Sequence, residues 1–131
     1  MGELRNANTT NLAYVGDAVY EVFVRRRLFG AHAWGTKLLH REAIRYVSAA
    51  GQALAMKAML EELSEEDQRL VKRARNHQSA TRPKNQDPVD YKWATALEAL
   101  VGFYYLSGDT DKAEALSYRA MEIIDAKEEQ E

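Results

Sequence analysis

The sequence of 131 residues has no cysteine and only two prolines. The absence of cysteine excludes disulfide bonds, thiolate metal sites and a cysteine nucleophile within this sequence. The scarcity of proline favours helices over a turn-rich β-sandwich. The sequence also lacks an apolar signal region at its start and any run near the roughly 20 apolar residues that cross a membrane. We therefore expect a cytoplasmic protein with no membrane partner.

Neither sign of charge is in large excess, since the net charge is -2 and the isoelectric point is about 6.0. Hydrophobic residues make up 46% and charged residues 29%, which is typical of a globular rather than a disordered chain. This length predicts one domain, with a core over about residues 9–126 and frayed ends. A nucleic-acid partner would require the basic residues to be concentrated in one region.

Apolar residues recur at helical spacing along most of the chain, and no alternating strand pattern of useful length is present. We therefore predict an all-α fold. Thr9 or Thr10 is the predicted cap of the first helix, and Ser64 with Asp67 has the pattern of a capping box. Asp87, followed by proline, predicts another helix start. The predicted helices span residues 10–30, 36–63 with a break between 48 and 51, 65–76, 88–106 and 110–126.

The segment 11–23 contains two residues that weaken a helix. Its apolar residues, including Leu12 and Val22, follow the spacing of a helix with one buried face. Gly16 costs a helix interior about 1 kcal/mol relative to alanine. Asp17 places a charge beside the buried face, where burial is expensive unless the charge is paired or binds a cation. Both residues indicate a role other than folding.

Glu98 is likewise an acidic residue inside an apolar helix. We predict this helix, whose apolar residues extend as far as Tyr105, to be the most buried. Small residues, Ala94 and Gly102, are its same-face neighbours and leave space around the carboxylate. Asp17 and Glu98 together suggest a shared cavity for a hard divalent cation, because Mg²⁺ typically takes only one or two protein carboxylates. The alternative is that both acids lie on solvated helix faces.

Glu21 follows Asp17 by one helical turn, so it is a candidate third ligand. It also precedes Arg25 by four residues, which is the spacing of an ion pair on one helix face. The three histidines lack the spacing of a metal site on a helix. The candidate cation site therefore consists of Asp17 and Glu98, with Glu21 either a ligand or an ion-pair partner.

The interval between Asp67 and Asp87 contains no acidic residue but several basic ones. A basic helix end followed by a polar loop is an arrangement that binds phosphate backbones. The loop, residues 77–86, is long for a compact domain, and long loops are often functional. The alternative is a solvated helix face with a mobile loop. The candidate nucleic-acid-binding residues are Lys72, Arg73, Arg75, Asn76, Arg82, Lys84 and Asn85.

Two motifs resemble the catalytic domain of the ribonuclease III family. Residues 12–21, Leu-Ala-Tyr-Val-Gly-Asp-Ala-Val-Tyr-Glu, resemble the family signature, usually Leu-Glu-(Phe/Tyr)-Leu-Gly-Asp-Ala-Val-Leu. Residues 97–102, Leu-Glu-Ala-Leu-Val-Gly, resemble its second acidic motif. The closer resemblance is to the Mini-ribonuclease III group of bacterial catalytic domains, because Ala13 replaces the signature glutamate, the basic segment is similar and no double-stranded RNA-binding domain follows.

This resemblance implies a helical bundle that forms a symmetric homodimer and cleaves double-stranded RNA. It implies hydrolysis that depends on Mg²⁺, with Mn²⁺ as an alternative, that leaves 5′-phosphate and 3′-hydroxyl ends and that matures 23S ribosomal RNA precursors. Asp17 and Glu98 match the family's acidic catalytic and metal-binding positions. Ala13 and Thr95 stand where larger members have two further acids, so we expect weak metal binding without RNA.

Two other functions are compatible with the sequence. One is a catalytically inactive helical module that binds structured RNA, which Ala13 and Thr95 leave open. The other is a helical protein-interaction domain without an RNA partner, which leaves the acid-free basic interval unexplained. The presence of both Asp17 and Glu98 favours the nuclease.

Overall fold

The computed structural model describes residues 2–31, 35–77 and 87–129, and within these ranges the chain is helical and has no strand. The prediction of an all-α fold is confirmed. No helix in the described ranges is long and apolar enough to cross a membrane. A 3₁₀ turn at Leu60–Glu62 separates the fourth and fifth helices. The α-helices are α1 (Gly2–Arg5), α2 (Thr9–Ala31), α3 (Thr36–Val47), α4 (Ala49–Met59), α5 (Glu65–Asn76), α6 (Pro88–Leu106) and α7 (Thr110–Glu129).

The helix α6 occupies the centre of the domain and packs against α2, α4, α5 and α7. Every residue from Ala99 to Phe103 is buried, as expected for a helix surrounded by neighbours. Tyr105 is 45% exposed, so the prediction that it is buried is wrong. The cause is the start of α2 at Thr9, which leaves little of that helix to cover the last turn of α6.

The break predicted between residues 48 and 51 is present at Ser48, which ends α3 and caps α4. Its backbone N–H donates to the carbonyl oxygen of Ile44, and its hydroxyl accepts from the N–H of Gly51 at 3.1 Å. A Cβ atom at Gly51 would lie 2.3 Å from the carbonyl oxygen of Arg45. The junction therefore requires glycine.

Side-chain caps begin several helices. Asp87 caps α6 as predicted, because its carboxylate accepts hydrogen bonds from two N–H groups of the first turn, at 2.8 and 3.1 Å. The cap of α2 is Asn8, whose side chain accepts from the N–H of Thr10 at 2.8 Å, and the prediction of Thr9 or Thr10 is wrong. Asparagine is at least as good a cap as threonine, so the local pattern did not distinguish them.

The short helix α1 is absent from the prediction. Arg5 at its end forms an ion pair with the buried Asp67 at 2.8 Å, and its guanidinium lies 4.1 Å from the centre of the Phe103 ring. The Tyr104 hydroxyl lies 2.8 Å from both Asp67 carboxylate oxygens. Only half of the predicted capping box forms, since Ser64 accepts from the N–H of Asp67 while the Asp67 carboxylate joins α1, α5 and α6.

The last helix continues beyond the predicted end at residue 126. Arg45 forms ion pairs with Asp125, at 3.2 Å, and with Glu128. The Tyr46 hydroxyl also donates to Asp125, at 2.6 Å. These contacts join α3 to α7 over the last turns of the helix.

One face of α2 carries apolar side chains that the described residues leave uncovered. Val22, predicted to be buried, is 61% exposed, while Phe29 is 78% exposed and Tyr14 more so. The next two residues, Phe23 and Val24, face the core instead, and Val22 points away from the side of the helix that they occupy. We refer to Tyr14, Val22 and Phe29 as the exposed apolar face of α2.

Candidate active site

The helices α2 and α6 cross with their backbones in contact. A Cβ atom at Gly16 would lie 1.7 Å from the carbonyl oxygen of Glu98, and one at Gly102 would lie 2.0 Å from that of Leu12. Side chains cannot occupy such positions, so the crossing requires glycine in both helices. The close approach brings Asp17, which follows Gly16, beside α6.

This crossing brings the carboxyl groups of Asp17 and Glu98 within hydrogen-bonding reach of each other. Burial raises the pKa of Glu98 from 4.5 to about 9, and the adjacent Asp17 adds to the rise. Asp17 is exposed and Glu98 is partly buried. The pair therefore extends from the surface into the helix interface. The Tyr20 hydroxyl is also near Glu98 but donates to the carbonyl oxygen of Tyr46 at 2.8 Å.

Gln52 on α4 is a third polar residue at this site, and the sequence reasoning missed it. Its side chain is 2% exposed. Its amide faces Glu98 and opposes the rise in the pKa of that carboxyl group, yet Nε2 has no hydrogen-bond partner among the described residues. The available signal was its spacing from Met56 and Met59, which places Gln52 on the buried face of α4.

The paired carboxyl groups fit a divalent cation. Two adjacent acids cannot both ionise easily unless a positive charge lies between them. Within the described ranges there is no group of three or more acidic, histidine or cysteine side chains that could hold a metal. A cation at Asp17 and Glu98 would therefore take most of its ligands from water or phosphate, as Mg²⁺ readily does.

The other candidate ligand positions do not add an acid to this pair. Glu21 forms an ion pair with Arg25 at 2.9 Å, which confirms that alternative. Ala13 is buried, and the Thr95 hydroxyl donates to the carbonyl oxygen of Tyr91 at 2.9 Å. Ala13 is therefore a core residue and Thr95 a hydroxyl bonded to its own helix, so neither position adds a carboxylate to the pair.

The predicted basic segment is divided between α5 and a part of the chain that the structure leaves undescribed. Lys72 and Asn76 are exposed on α5. Arg73 is also exposed, but its guanidinium donates to the carbonyl oxygen of Ala7 at 2.9 Å. It therefore also holds the segment between α1 and α2. The candidates outside the described residues are Arg82, Lys84 and Asn85.

Arg75 belongs to a cluster that joins three helices. Its guanidinium lies 5.0 Å from the centre of the Trp93 ring on α6, and its Nε donates to Asn76 at 3.0 Å. The Lys57 ammonium on α4 lies 6.0 Å from the same ring. Stacking on an aromatic ring orients a cation without neutralising it. Lys57 and Trp93 therefore extend the basic surface of α5 to residues that the sequence reasoning did not select.

The part of the chain that is similar to known proteins includes both the crossing of α2 with α6 and the pair Asp17 and Glu98. The ribonuclease III domain family matches residues 10–109. The chain is 40% identical over 126 residues to Mini-ribonuclease 3 of Brevibacillus brevis, with 94% of each chain covered. It is 42% identical over 118 residues to Mini-ribonuclease 3 of Enterococcus faecalis, covering 88% of this chain and 89% of that one. A crystal structure of a Fusobacterium nucleatum protein matches with a TM-score of 0.79 and 28% identity, covering 92% and 96% of the two chains.

Proposed function

The chain belongs to the ribonuclease III family and is an endoribonuclease, and from this premise we propose that it cleaves double-stranded RNA in a Mg²⁺-dependent reaction, with Mn²⁺ as an alternative. The observation that carries the proposal is the pairing of Asp17 with Glu98 where α2 crosses α6. The proposed natural substrate is a precursor of 23S ribosomal RNA in the cytoplasm, the role that the family resemblance implies.

Asp17 and Glu98 are the proposed catalytic residues and metal ligands. When bound, Mg²⁺ activates a water molecule and neutralises the charge that builds on the attacked phosphate. The two carboxyl groups would hold the cation between them as ionised ligands. Hydrolysis then breaks the bond between phosphorus and the 3′ oxygen, leaving a 5′-phosphate and a 3′-hydroxyl. No side chain needs to act as the nucleophile.

The proposed RNA-binding surface consists of α5 and the residues around Trp93. Lys72 and Asn76 are exposed there, and Arg75 is oriented by the Trp93 ring with Lys57 near by. Such a surface recognises phosphates and duplex shape rather than base sequence, because the major groove of A-form RNA is too deep and narrow for side chains. The remaining members of the proposed surface are Arg73, Arg82, Lys84 and Asn85.

A symmetric homodimer is the proposed assembly. Cleavage of both strands of a duplex requires two active sites, and a two-fold axis provides them. The exposed apolar face of α2 lies on the helix that carries Asp17, so pairing two such faces would hold the two sites together. An apolar cavity of about 290 Å³, lined by Leu28, Phe29 and Leu39, adjoins this face. Large exposed apolar side chains grouped on one helix side are typical of protein interfaces.

The direct test is incubation of the purified chain with a duplex RNA, in Mg²⁺ and in EDTA, with the single strands as a control. We expect cleavage of the duplex only when Mg²⁺ is present. Binding without cleavage in either Mg²⁺ or Mn²⁺ would contradict the proposal and favour a catalytically inactive RNA-binding module. The absence of both binding and cleavage would favour a protein-interaction domain.

A further inference from the structure

The mechanism above leaves one buried polar group without a role, the amide of Gln52. Its side chain is 2% exposed, and Nε2 has no partner among the described residues. A buried donor without a partner costs about 1–3 kcal/mol. By contrast, Gln68 donates to the carbonyl oxygens of Leu60 and Leu63 at 3.0 and 3.1 Å. Gln68 therefore stabilises the fold directly, whereas Gln52 in this state does not.

The surroundings of Gln52 identify its missing partner. It lies on the face of α4 that packs against α6, together with the fully buried Met56 and Met59. Thioether and alkyl groups cannot satisfy an amide donor. Its amide faces the Glu98 carboxyl group. This group is half of the acid pair, and Asp17 is its other neighbour.

A carboxylate can accept more hydrogen bonds than a single metal ion uses. Each ionised carboxylate has about four acceptor positions on two oxygens, and a cation held between Asp17 and Glu98 occupies one or two of those on Glu98. The remaining acceptor positions of Glu98 leave room for a donor from the α4 side.

We propose that Gln52 is a positioning residue, which donates a hydrogen bond from Nε2 to Glu98 when Asp17 and Glu98 hold a divalent cation. This inference rests on the proposed function, because it assigns a partner to one of the proposed metal ligands. The hydrogen bond fixes the rotamer of Glu98 and directs its other oxygen towards the cation. Partners of this kind typically change metal affinity or activity by 10- to 100-fold.

The test uses Gln52→Met, which keeps the length and burial of the side chain but removes the donor. Mn²⁺ is titrated into the full chain, and the free ion is followed by electron paramagnetic resonance. We expect the affinity for Mn²⁺ to fall by roughly tenfold or more. The melting temperature of the metal-free variant should equal or exceed that of the parent, because the substitution removes a buried donor without a partner. The Mn²⁺ concentration for half-maximal cleavage of a duplex should rise in parallel.

The matched control is Gln68→Met. It removes a partly buried glutamine amide that has two carbonyl partners, away from the acid pair. We expect this variant to have a lower melting temperature and the parental affinity for Mn²⁺. If Gln52 had a purely structural role, Gln52→Met would likewise lower the melting temperature and leave the affinity for Mn²⁺ at the parental value.

A third variant, Asp17→Asn, separates this inference from the proposed function. If Asp17→Asn loses Mn²⁺ binding while Gln52→Met retains the parental affinity, the role of Gln52 is overturned and the metal site stands. If Asp17→Asn binds Mn²⁺ as the parent does, the proposed metal site itself is wrong. Loss of folding in both Gln52→Met and Gln52→Leu would also overturn the inference, because it would assign the amide to the stability of the fold.

Discussion

Gly16 and Asp17 are unfavourable choices for a helix, and the structure gives each a physical reason. Gly16 lets the backbone of α2 contact that of α6, where any side chain would collide with the carbonyl oxygen of Glu98. The close contact places the Asp17 carboxyl group beside that of Glu98. A glycine that weakens one helix therefore brings together two acids that lie far apart in the sequence.

The crossing predicts a large effect of Gly16→Ala on stability. The added methyl would lie 1.7 Å from a backbone oxygen, so the helices must separate. We expect a loss of about 3 kcal/mol or more in the free energy of unfolding, measured by urea denaturation. Gly30→Ala is the control, because no atom of the described residues lies within 4 Å of its added Cβ. It should be neutral or stabilising by up to about 1 kcal/mol. Equal stability of Gly16→Ala and the parent would refute the backbone contact.

The raised pKa of Glu98 predicts how stability without metal depends on pH. The folded value of about 9 lies above the ordinary value of 4.5, so the folded state retains this proton more strongly than the unfolded state. The resulting stability is fully present below about pH 4.5 and is lost as the pH rises towards about 9. We therefore expect the melting temperature in EDTA to fall between about pH 5 and about pH 8.

Glu98→Gln should remove this contribution, because a glutamine cannot ionise. At about pH 8 the variant should melt on the order of 5 °C above the parent. The difference between the two should vanish below about pH 4, where Glu98 is protonated in both states. A difference that stays constant over this range would show that the carboxyl group is already ionised in the folded protein.

At the scale of helices, local sequence predicted most of the fold. Spacing and capping residues gave α2 through α7 to within a few residues, including the break at Ser48, because these signals are local. The exceptions depended on tertiary partners. α1 is held by contacts with α5 and α6. Phe23 rather than Val22 is buried, and its ring packs against Tyr118 of α7. No local pattern contains that information.

The candidate site was predictable to a similar extent. Asp17 and Glu98 were identifiable as acids in apolar helices and through motif resemblance, but their adjacency required the packing of α2 on α6. Gln52 was identifiable as a polar residue on a buried helix face, although nothing in the sequence indicated that this face meets Glu98. Lys57 joins the basic surface only because α4 and α6 place it beside Trp93.

The basic surface of α5 predicts an electrostatic effect on RNA binding. Changing Lys72 and Arg75 to glutamine removes two cations that are available to phosphates. The affinity for many duplex sequences should fall alike, and the slope of log affinity against log salt should decrease by about 1–2. The control is Arg119→Gln, because Arg119 is already paired with Glu62 at 2.7 Å. An unchanged slope in the double variant would exclude α5 from the RNA interface.

At the scale of the whole molecule, the proposed dimer accounts for apolar surface that the single chain leaves open. The exposed apolar face of α2 is on the same helix as one acid of each site. A two-fold axis near this face would give a duplex two sites in a fixed relation, which one copy of the chain cannot provide. The two-fold axis that relates the two RNA strands would then coincide with the two-fold axis of the protein dimer.

This account predicts that Phe29→Glu prevents dimerisation. Phe29 is 78% exposed, so a charged side chain there leaves the core intact but is costly to bury in an interface. Sedimentation velocity should show the parent as a dimer and the variant as a monomer with a similar melting temperature at high dilution. Val89→Glu changes an exposed apolar residue at the start of α6 and should remain dimeric. A monomeric parent would contradict the proposed assembly.

The pairing of Asp17 with Glu98 is the central claim, and single-turnover cleavage tests it most directly. Asp17→Asn and Glu98→Gln keep the shape of each side chain and remove its charge. With a duplex RNA in Mg²⁺, each variant should bind as the parent does but cleave at least about a thousandfold more slowly, because several kcal/mol of charge stabilisation are lost. Cleavage at the parental rate by either variant would contradict the assignment of the active site.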